Sequence, residues 1–409
     1  MSAAPAPFCV VGLPNRADYT PSEDVQRALS AYTIFCGGKR HHEIIGRWLP
    51  AGHRWLPLRG GVRAVLEIHR EMSQPMAIFA SGDPLFYGIA GALRTAAPGA
   101  RVRVLPYFNC LHLLCQRAGI PYADLVATSI HGRNWDELDA ALLRGERLIG
   151  VLTDDERMPD AIARRLLAYG FIHYTLHIGE MLEAPEEKVC QLTPEQAATH
   201  LFAPLNCVIL EATKHQRPPL GLDATSLVGL PGRPDMVTKM PVRLTSLAQL
   251  DLTRRHCLWD VGFCTGSVSI ESRRLFPHLQ VIAFERRPEC AELLARNTRT
   301  CSAPGIVAVM GDFFDQTLAS VPSPDAVFIG GHGGRLREMI ILLDTVLAPG
   351  GRIVINAVLD STRADFDAAT AAFGYAALPP IRLQVDDHNP IAVLGATKPG
   401  NQAPREISP

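Results

Sequence analysis

The stretch LWDVGFCTGSVSIE, at residues 258–271, decides the fold of the second half of the chain. It predicts a buried strand from Cys257 to Val261, then a turn, then a helix. Gly262 and Gly266 let the backbone of the turn bend sharply and approach a ligand closely. We expect Ser267 to cap the helix, so that free amide groups and the positive helix end face whatever lies in the turn.

Two acidic residues lie at the ends of neighbouring predicted strands. Asp260 opens the turn, and Glu285 ends the next apolar run, which begins at Val281. An acid at the end of the second strand can accept hydrogen bonds from both hydroxyl groups of a ribose. A nicotinamide fingerprint requires Gly-x-Gly-x-x-Gly, but Cys264 and Ser267 stand where its second and third glycines belong. The sequence therefore predicts a ligand with a nucleoside and disfavours a nicotinamide dinucleotide.

The composition is typical of globular domains. At 409 residues the chain is too long for one ordinary hydrophobic core, so two or three domains are expected. The net charge of -1 argues against nucleic acid as a partner. No apolar run reaches the roughly 18 residues of a membrane span, and residues 1–7 do not resemble a signal peptide. The 10 cysteines form no C-x-x-C pair, which predicts a cytoplasmic protein with no metal site.

Strands and helices alternate along both halves, which predicts α/β layers. From Lys214 to Asp235 the chain is rich in proline and glycine. We therefore expect one domain over residues 1–213, a linker over 214–235 and a second domain over 236–409. The further strands predicted in the second domain are Gln280 to Phe284, Ile306 to Met310, Ala326 to Ile329, Arg352 to Ala357 and an antiparallel ending at Ile381 to Val385 and Ile391 to Ala396.

The second domain resembles the Rossmann-like, class I methyltransferases that use S-adenosylmethionine. The resemblance rests on the acid–Val–Gly–x–x–x–Gly turn, on Glu285 and on Gly311-Asp312 after the third strand. It implies that the turn faces the amino acid end of S-adenosylmethionine, that Glu285 holds the ribose and that Asp312 contacts the adenine. Cys264 departs from the family, which has glycine there. The implied cofactor-binding residues are Thr238, Asp260, Gly262, Phe263, Cys264, Thr265, Gly266, Glu285, Asp312 and Phe313.

Two further motifs narrow this resemblance. The run DAVFIGGHGG at 325–334 follows the fourth strand, and VTKMPVR at 237–243 precedes the first helix. Together with the turn they resemble the decarboxylating methyltransferase half of the corrin pathway, which acts on carbon 15 of the macrocycle. Because the implied substrate carries many carboxylates, we expect basic side chains near the cleft, and the candidates are Lys239, Arg243, Arg335 and Arg337. Lys239 and Arg335, together with His332, which could relay a proton or bond a carboxylate, are the predicted catalytic residues. Since the macrocycle itself supplies the carbon nucleophile, no covalent protein nucleophile is expected.

The first domain resembles the tetrapyrrole methylase family, in particular the member that acts on carbon 5. The motifs are SGDPLFYG at 81–88, HGR at 131–133, VLTD at 151–154 and GGKRHH at 37–42, which follows a predicted strand. The resemblance implies a two-lobed fold that binds S-adenosylmethionine in its cleft. The implied cofactor-binding residues are Gly82, Asp83, Pro84, Thr153 and Asp154, and the implied substrate-binding residues are Lys39, Arg40, His131 and Arg133.

The order of the two halves resembles the fused corrin-pathway enzymes that methylate carbon 5 and carbon 15 of a precorrin-6-type macrocycle. This implies a bifunctional methyltransferase of cobalamin biosynthesis with a tetrapyrrole substrate, and a homo-oligomer.

Two alternatives stay open. An RNA methyltransferase would need a basic stripe and stacking aromatics, which the near-neutral charge disfavours. A scaffold with only one active domain is suggested by Cys264 and by the glycine-poor first turn GLPN at 12–15. Whether the substrate carries cobalt is not decided by the sequence.

Overall fold

The computed structural model describes residues 6–214, 217–234, 236–387 and 389–400. The chain forms two compact units. The first comprises 1–134, 147–164 and 173–213, and the second comprises 135–146, 165–172 and 214–409. The last change of unit along the chain falls at residue 214, at the start of the segment rich in proline and glycine.

The first unit contains a five-stranded parallel sheet with the strand order β3-β2-β4-β1-β5. Its strands are β1 (Phe8–Leu13), β2 (Ile34–Gly37), β3 (Arg54–Pro57), β4 (Met76–Ser81) and β5 (Val102–Leu105). Both faces of β1 are buried, because the strand lies inside the sheet and helices cover it. This parallel pairing places the loops after β1 and β4 side by side at the carboxyl edge.

A second sheet of the first unit has the order β6-β7-β10-β8-β9. Its strands are β6 (Val126–Ser129), β7 (Leu148–Leu152), β8 (Tyr174–Glu180), β9 (Lys188–Leu192) and β10 (Asn206–Ala212). Only β6 and β7 pair in parallel; the other pairs are antiparallel. Two separate sheets in one unit confirm the expected two-lobed fold.

Eight α-helices belong to residues 6–213, the described part of the sequence before residue 214. They are α1 (Glu23–Leu29), α2 (Lys39–Ile45), α3 (Gly61–Met72), α4 (Ile89–Ala96), α5 (Cys110–Ala118), α6 (Asp136–Arg144), α7 (Pro159–Ala168) and α8 (Pro194–Ala197). In the motif GGKRHH, Lys39 to His42 form the start of α2. Gly38 precedes this helix, and its amide donates to Nδ1 of His41 at 3.2 Å.

The second unit is built on an eight-stranded sheet. Its strands are β11 (Cys257–Val261), β12 (Gln280–Glu285), β13 (Ile306–Met310), β14 (Ala326–Ile329), β15 (Arg352–Ala357), β16 (Ala376–Ala377), β17 (Ile381–Leu383) and β18 (Ile391–Thr397). Strands β13-β12-β11-β14-β15 are parallel, and β18 pairs antiparallel with β15, β16 and β17. The expected antiparallel ending is therefore confirmed.

Five further helices cover the two faces of this sheet: α9 (Met240–Leu250), α10 (Ser267–Leu275), α11 (Glu289–Thr300), α12 (Leu336–Val346) and α13 (Asp360–Ala372). Successive residues of β11 point to opposite faces. Trp259 packs in the cluster that contains α12 and α13, and Leu258 packs in the cluster that contains α9 and α10. This α/β/α layering leaves the carboxyl ends of β11, β12, β13 and β14 open to a ligand.

The expectation that Ser267 caps α10 was wrong. Gly266 holds the capping position with a φ of +77°, and Ser267 is the first helical residue. A left-handed backbone at this point favours glycine, which lacks the Cβ that crowds the following carbonyl. Throughout the described ranges, every helix is too short or too polar to cross a bilayer.

Candidate active site

Two glycine loops meet at the carboxyl edge of the second sheet. Gly262 follows β11 with a φ of +82°, and Gly331 follows β14. The amide of Gly331 donates to the carbonyl of Val261 at 3.1 Å. A Cβ on Gly262 would lie 2.7 Å from the amide nitrogen of Gly331. The two backbones touch because neither residue has a side chain, and this contact forms the floor of a cavity.

The cavity has a volume of about 750 Å³ and lies within the second unit. Its lining brings together residues from the ends of β11, β12, β13 and β14 and from the segment before α9. The residues that the sequence predicted and that line it are Thr238, Lys239, Asp260, Gly262, Phe263, Cys264, Thr265, Glu285, Asp312, Phe313, His332 and Arg335. Three predicted residues of this unit lie outside the cavity lining: Gly266, Arg243 and Arg337. Gly266 caps α10 instead, and Arg243 was wrongly expected near a substrate, because its side chain is fully buried in an ion pair with Glu271.

Cys264 adopts the backbone that a glycine would adopt. Its φ is +52°, in the left-handed region, although it carries a side chain. Its buried thiol lies 3.7 Å from the carbonyl oxygen of Met236, and its amide donates to Oε2 of Glu285 at 3.1 Å. The turn therefore keeps its path despite the side chain, at a conformational cost of roughly 1–2 kcal/mol. Burial raises the pKa of this thiol, which argues against a thiolate nucleophile.

Glu285 is held by its neighbours on both carboxylate oxygens. Oε1 accepts from the amides of Arg286 and Arg287 at 2.9 and 3.1 Å and from Nε of Arg287 at 3.1 Å. Oε2 accepts from Nη2 of Arg287 at 2.7 Å and from the amide of Cys264. Burial acts to raise the pKa of Glu285, but the bonds and charge of Arg287 hold it below its usual value. The acid is therefore ionised at neutral pH.

Asp260 has a different environment, although it lies one strand away. It is 1% exposed, and its Oδ2 accepts from the amide and from Oγ of Ser269, at 3.1 and 2.6 Å. Burial raises the pKa of Asp260 to about 6, against the lowering effect of these hydrogen bonds. Its carboxyl group thus connects the first turn of α10 to the end of β11, on either side of the turn that contains Gly262.

Asp312 and Arg335 frame another side of the cavity. Oδ1 of Asp312 accepts from the amide of Phe314 at 3.0 Å and stabilises a short 3-10 turn after β13. The guanidinium of Arg335 lies over the ring of Phe314, 3.6 Å from its centre, and pairs with Glu338 at 2.7 Å. The aromatic face and the cation are thereby held beside the Asp312 turn.

His332 lies between the glycines of the loop after β14. It lines the cavity, and its Nδ1 atom is buried without a hydrogen-bond partner among the described residues. A buried ring nitrogen without a partner carries a desolvation cost that a polar group of a ligand can remove. His332 is therefore available to a ligand in a way that the saturated Glu285 is not.

In the first unit, Gly12 at the end of β1 touches the loop after β4. A Cβ on Gly12 would collide with the carbonyl of Gly82 and would lie 2.7 Å from the amide nitrogen of Tyr107. Gly82 has a φ of +64°, and its amide donates to the carbonyl of Leu13 at 2.9 Å. Asp83 accepts from the amide of Leu85 at 2.8 Å, and Pro84 follows it in the same rigid loop.

The structure places the other predicted residues of the first unit in two groups. Nη2 of Arg40 donates to Oγ of Ser81 at 2.8 Å, which puts it beside the Gly82 loop. Lys39 is exposed and lies 3.8 Å from Glu43. In the second group, Nδ1 of His131 lies 2.8 Å from the carbonyl oxygen of Thr153.

The second group continues along the same loops. Oδ2 of Asp154 accepts from the amide of Gly132 at 2.9 Å and from Nη1 of Arg157 at 2.8 Å. The guanidinium of Arg133 lies 5.2 Å from the centre of the Tyr87 ring. The two motifs HGR and VLTD are therefore neighbours through backbone and side-chain hydrogen bonds.

The sequence reasoning did not single out Arg286 and Arg287, which also line the cavity. Arg287 binds Glu285, and Nη1 of Arg286 would lie 3.6 Å from a Cβ on Gly333. Their position directly after β12, a strand that ends in the acid Glu285, could have indicated that they lie at the cavity. No group of three or more His, Cys, Asp and Glu residues in the described ranges is arranged to hold a metal ion.

Comparison with known proteins supports both halves separately. Residues 10–198 match the model of the tetrapyrrole (corrin/porphyrin) methylases. Residues 233–403 match the precorrin methyltransferase domain. A precorrin-6Y C(5,15)-methyltransferase [decarboxylating] of Sinorhizobium sp is 32% identical over 380 residues, which are 92% of this chain and 90% of that protein. The chain belongs to the precorrin-6Y C(5,15)-methyltransferase family.

Three further relatives each match less than half of the chain. The cobalt-precorrin-6B C(15)-methyltransferase (decarboxylating) of Salmonella typhimurium is 36% identical over 40% of this chain and 84% of its own length. The cobalt-precorrin-7 C(5)-methyltransferase of the same organism is 31% identical over 44% of this chain and 87% of its own. A solved precorrin-6Y C5,15-methyltransferase structure from Geobacter metallireducens is 31% identical, covers 45% of this chain and all of its own, and has a TM-score of 0.41.

Proposed function

We propose that the chain methylates a precorrin-type macrocycle twice with S-adenosylmethionine. The half before the linker is assigned methylation at carbon 5, and the half after it methylation at carbon 15 with loss of carbon dioxide. The observation that carries this proposal is the coincidence of the Gly262–Gly331 contact, the acid Glu285 and the aromatic turn after Asp312 around one cavity. The relatives named for these reactions support the same assignment.

The residues around the cavity fit S-adenosylmethionine. The volume of about 750 Å³ suits a nucleoside with an amino acid tail. The Gly262–Gly331 floor lets a ligand approach the backbone, Glu285 provides a carboxylate for ribose hydroxyls, and Phe313 and Phe314 provide apolar surface beside Asp312. To accept a ribose, Glu285 must give up some of its bonds to Arg287, because a carboxylate has only about four lone-pair positions.

S-adenosylmethionine supplies an electrophilic methyl group on sulfur, so the chain mainly has to orient two partners and exclude water. The loops after β11 and β14 hold the donor side. Lys239, Arg286 and Arg335 are cations at the cavity wall and suit a substrate with several carboxylates. The Nδ1 atom of His332 is assigned a hydrogen bond to the substrate. The acetate carboxylate that leaves is expected to sit away from these cations, since tight pairing would hinder its loss.

For the first unit we propose that Gly82, Asp83, Pro84, Thr153 and Asp154 contact S-adenosylmethionine, and that Lys39, Arg40, His131 and Arg133 contact the macrocycle. The support is the proximity of Arg40 to the Gly82 loop and of His131 to Thr153. Cobalt is treated as part of the substrate. The homo-oligomer and the cytoplasmic location stay predictions from the sequence.

Incubation with S-adenosylmethionine and the reduced macrocycle tests the proposal. We expect the product mass to show two added methyl groups and the loss of one carbon dioxide. Methylated RNA together with an unchanged macrocycle would contradict the proposal. A product with one methyl group would indicate that one half of the chain is only a scaffold.

A further inference from the structure

A fully buried ion pair joins α9 to α10 beneath the cavity wall. The side chains of Arg243 and Glu271 are both 0% exposed. Nε and Nη2 of Arg243 lie 3.0 and 2.9 Å from Oε2 of Glu271. Removing two charges from water is costly, and such a pair often adds no more stability than apolar residues of the same size. Its remaining hydrogen bonds point to a more specific role.

Those remaining hydrogen bonds go to the backbone of the segment that precedes α9. Glu271 accepts from the amides of Gly221 and Leu222, at 3.1 and 2.8 Å. Arg243 donates from Nη2 to the carbonyl of Leu222 at 2.6 Å and from Nη1 to the carbonyl of Thr238 at 2.7 Å. One pair of side chains therefore fastens this segment near its beginning and again at its end.

The end of this segment forms part of the cavity wall. Its residues Met236, Val237, Thr238 and Lys239 line the cavity. The carbonyl of Met236 also meets the thiol of Cys264 in the turn, at 3.7 Å. The position of this wall relative to the Gly262 turn thus depends on the bond from Arg243 to Thr238.

We infer that Arg243 and Glu271 are positioning residues, which set the wall 236–239 against the turn and so tune the affinity of this cavity for S-adenosylmethionine. The inference rests on the proposed function for the identity of the ligand. Neither side chain is placed in contact with the ligand. The planar guanidinium reaches Glu271, Leu222 and Thr238 in three directions, which the single ammonium group of a lysine does not reproduce.

The variant Arg243→Lys tests this inference, with Arg273→Lys as its matched control. Arg273 is 3% exposed, lies on α10 and donates to the carbonyls of Pro304 and Leu279 at 2.9 Å, outside the cavity lining. Both variants keep a positive charge and lose buried bonds to carbonyl groups. They should therefore lose comparable stability in thermal unfolding of the full chain.

Only Arg243→Lys should change the cofactor kinetics. We expect its KM for S-adenosylmethionine in carbon dioxide release to rise about tenfold with little change in kcat, as for lost binding common to ground and transition states. Carbon-5 methylation, measured with a macrocycle that already carries the carbon-15 methyl group, should keep its KM. Equal changes of KM in both variants, or a fall in kcat alone, would overturn the inference.

Hydrogen exchange provides a readout that does not depend on the reaction. The amides of residues 236–239 should exchange faster in Arg243→Lys than in Arg273→Lys, with no ligand added. Unchanged exchange of these amides in Arg243→Lys overturns the positioning role, whatever the enzyme methylates. Faster exchange in a protein that binds no S-adenosylmethionine would retain the positioning of the wall but contradict the proposed function.

Discussion

Both units bring two glycine loops into contact at the carboxyl ends of neighbouring parallel strands, but they do so differently. In the first unit Gly12 lies within β1 and meets the loop that contains Gly82. In the second unit Gly262 lies beyond β11, in a left-handed turn, and meets Gly331. The residue two positions before the glycine is Val10 in the first unit and Asp260 in the second.

This difference shows that two backbones can approach closely without a glycine-rich turn in the sequence. The first unit achieves its contact with Gly12 in an ordinary strand and with Gly82 in a left-handed turn after the neighbouring strand, so its glycine-poor first turn does not prevent the two segments from meeting. The second unit needs a left-handed turn, and it adds a buried acid that fastens this turn to α10. We therefore expect substitutions at Gly12 and Gly262 to have similar local effects on different reactions.

The largest expected effects come from the matched variants Gly12→Ala and Gly262→Ala. Each adds a methyl group where the opposing backbone leaves no space, so each should lower its own reaction more than about 1,000-fold, equal to about 4 kcal/mol. Gly262→Ala should stop carbon dioxide release. Gly12→Ala should release carbon dioxide but add only one methyl group. Carbon-5 methylation is measured on a macrocycle already methylated at carbon 15. If either variant then lost both reactions while still folded, the two contacts would not serve separate sites.

Asp260→Asn sharpens the comparison, because the first unit has no acid at the equivalent point. The pKa of Asp260 is raised to about 6 in the fold, against about 3.9 in an unfolded chain. Below about pH 4 this carboxyl is protonated in both the folded and the unfolded chain. As the pH rises from about 4 to about 6, the unfolded chain loses the proton first, so the free energy of unfolding falls by about 3 kcal/mol. Denaturant unfolding across this range should show the loss in the wild type but not in Asp260→Asn. Parallel stability curves would contradict the buried, raised-pKa carboxyl.

Glu285→Ala tests the acid at the end of β12, the strand next to β11, whose carboxylate accepts from the amide of Cys264 in the turn. Loss of hydrogen bonds to the ribose should lower kcat/KM for carbon dioxide release about 100-fold, or about 2.7 kcal/mol. Carbon-5 methylation of a macrocycle already methylated at carbon 15 should be unchanged, which provides the control within one chain. A loss smaller than about threefold, near 0.7 kcal/mol, would indicate that Glu285 serves Arg287 alone.

Cys264→Gly should have the smallest effect. Glycine removes the left-handed strain at this position, worth roughly 1–2 kcal/mol, but it also removes a buried thiol from the core cluster and gives the unfolded chain more freedom. We expect the free energy of unfolding to change by less than about 1 kcal/mol and carbon dioxide release to continue. Loss of that reaction would instead indicate a chemical role for the thiol.

The sequence predicted the interior strands of the fold better than the edge strands. The bounds of β11, β14 and β15 are confirmed, because strands buried on both faces have continuous apolar sequences. The bounds of β13 are also confirmed, although β13 is a partly exposed edge strand. Among the described strands, those that the sequence did not reveal are β3, β6, β9 and β16, and each is an edge strand of its sheet. Edge strands are partly exposed, as the alternating exposure of β9 illustrates, so their apolar pattern is weak.

The candidate site was predictable where a residue type follows from backbone geometry, and less so where it follows from packing. Gly262 and Glu285 could be located from their strand ends. The sequence did not reveal that Asp260 accepts from Ser269 or that Glu285 accepts from Arg287. These hydrogen bonds depend on the directions in which the side chains point, which the sequence pattern does not give. Arg243 acts on the segment before α9, through the carbonyls of Leu222 and Thr238. The sequence predicted residues 214–235 of this segment only as a linker and did not predict their path.

The central claim is that one chain carries two independent methylation sites, and mixing the two glycine variants tests it most directly. Gly12→Ala and Gly262→Ala are incubated together with S-adenosylmethionine and the reduced macrocycle, and the product mass is read. We predict two added methyl groups and the loss of one carbon dioxide, because each variant retains the site that the other lacks. A mixture that yields no more product than either variant alone would contradict the claim.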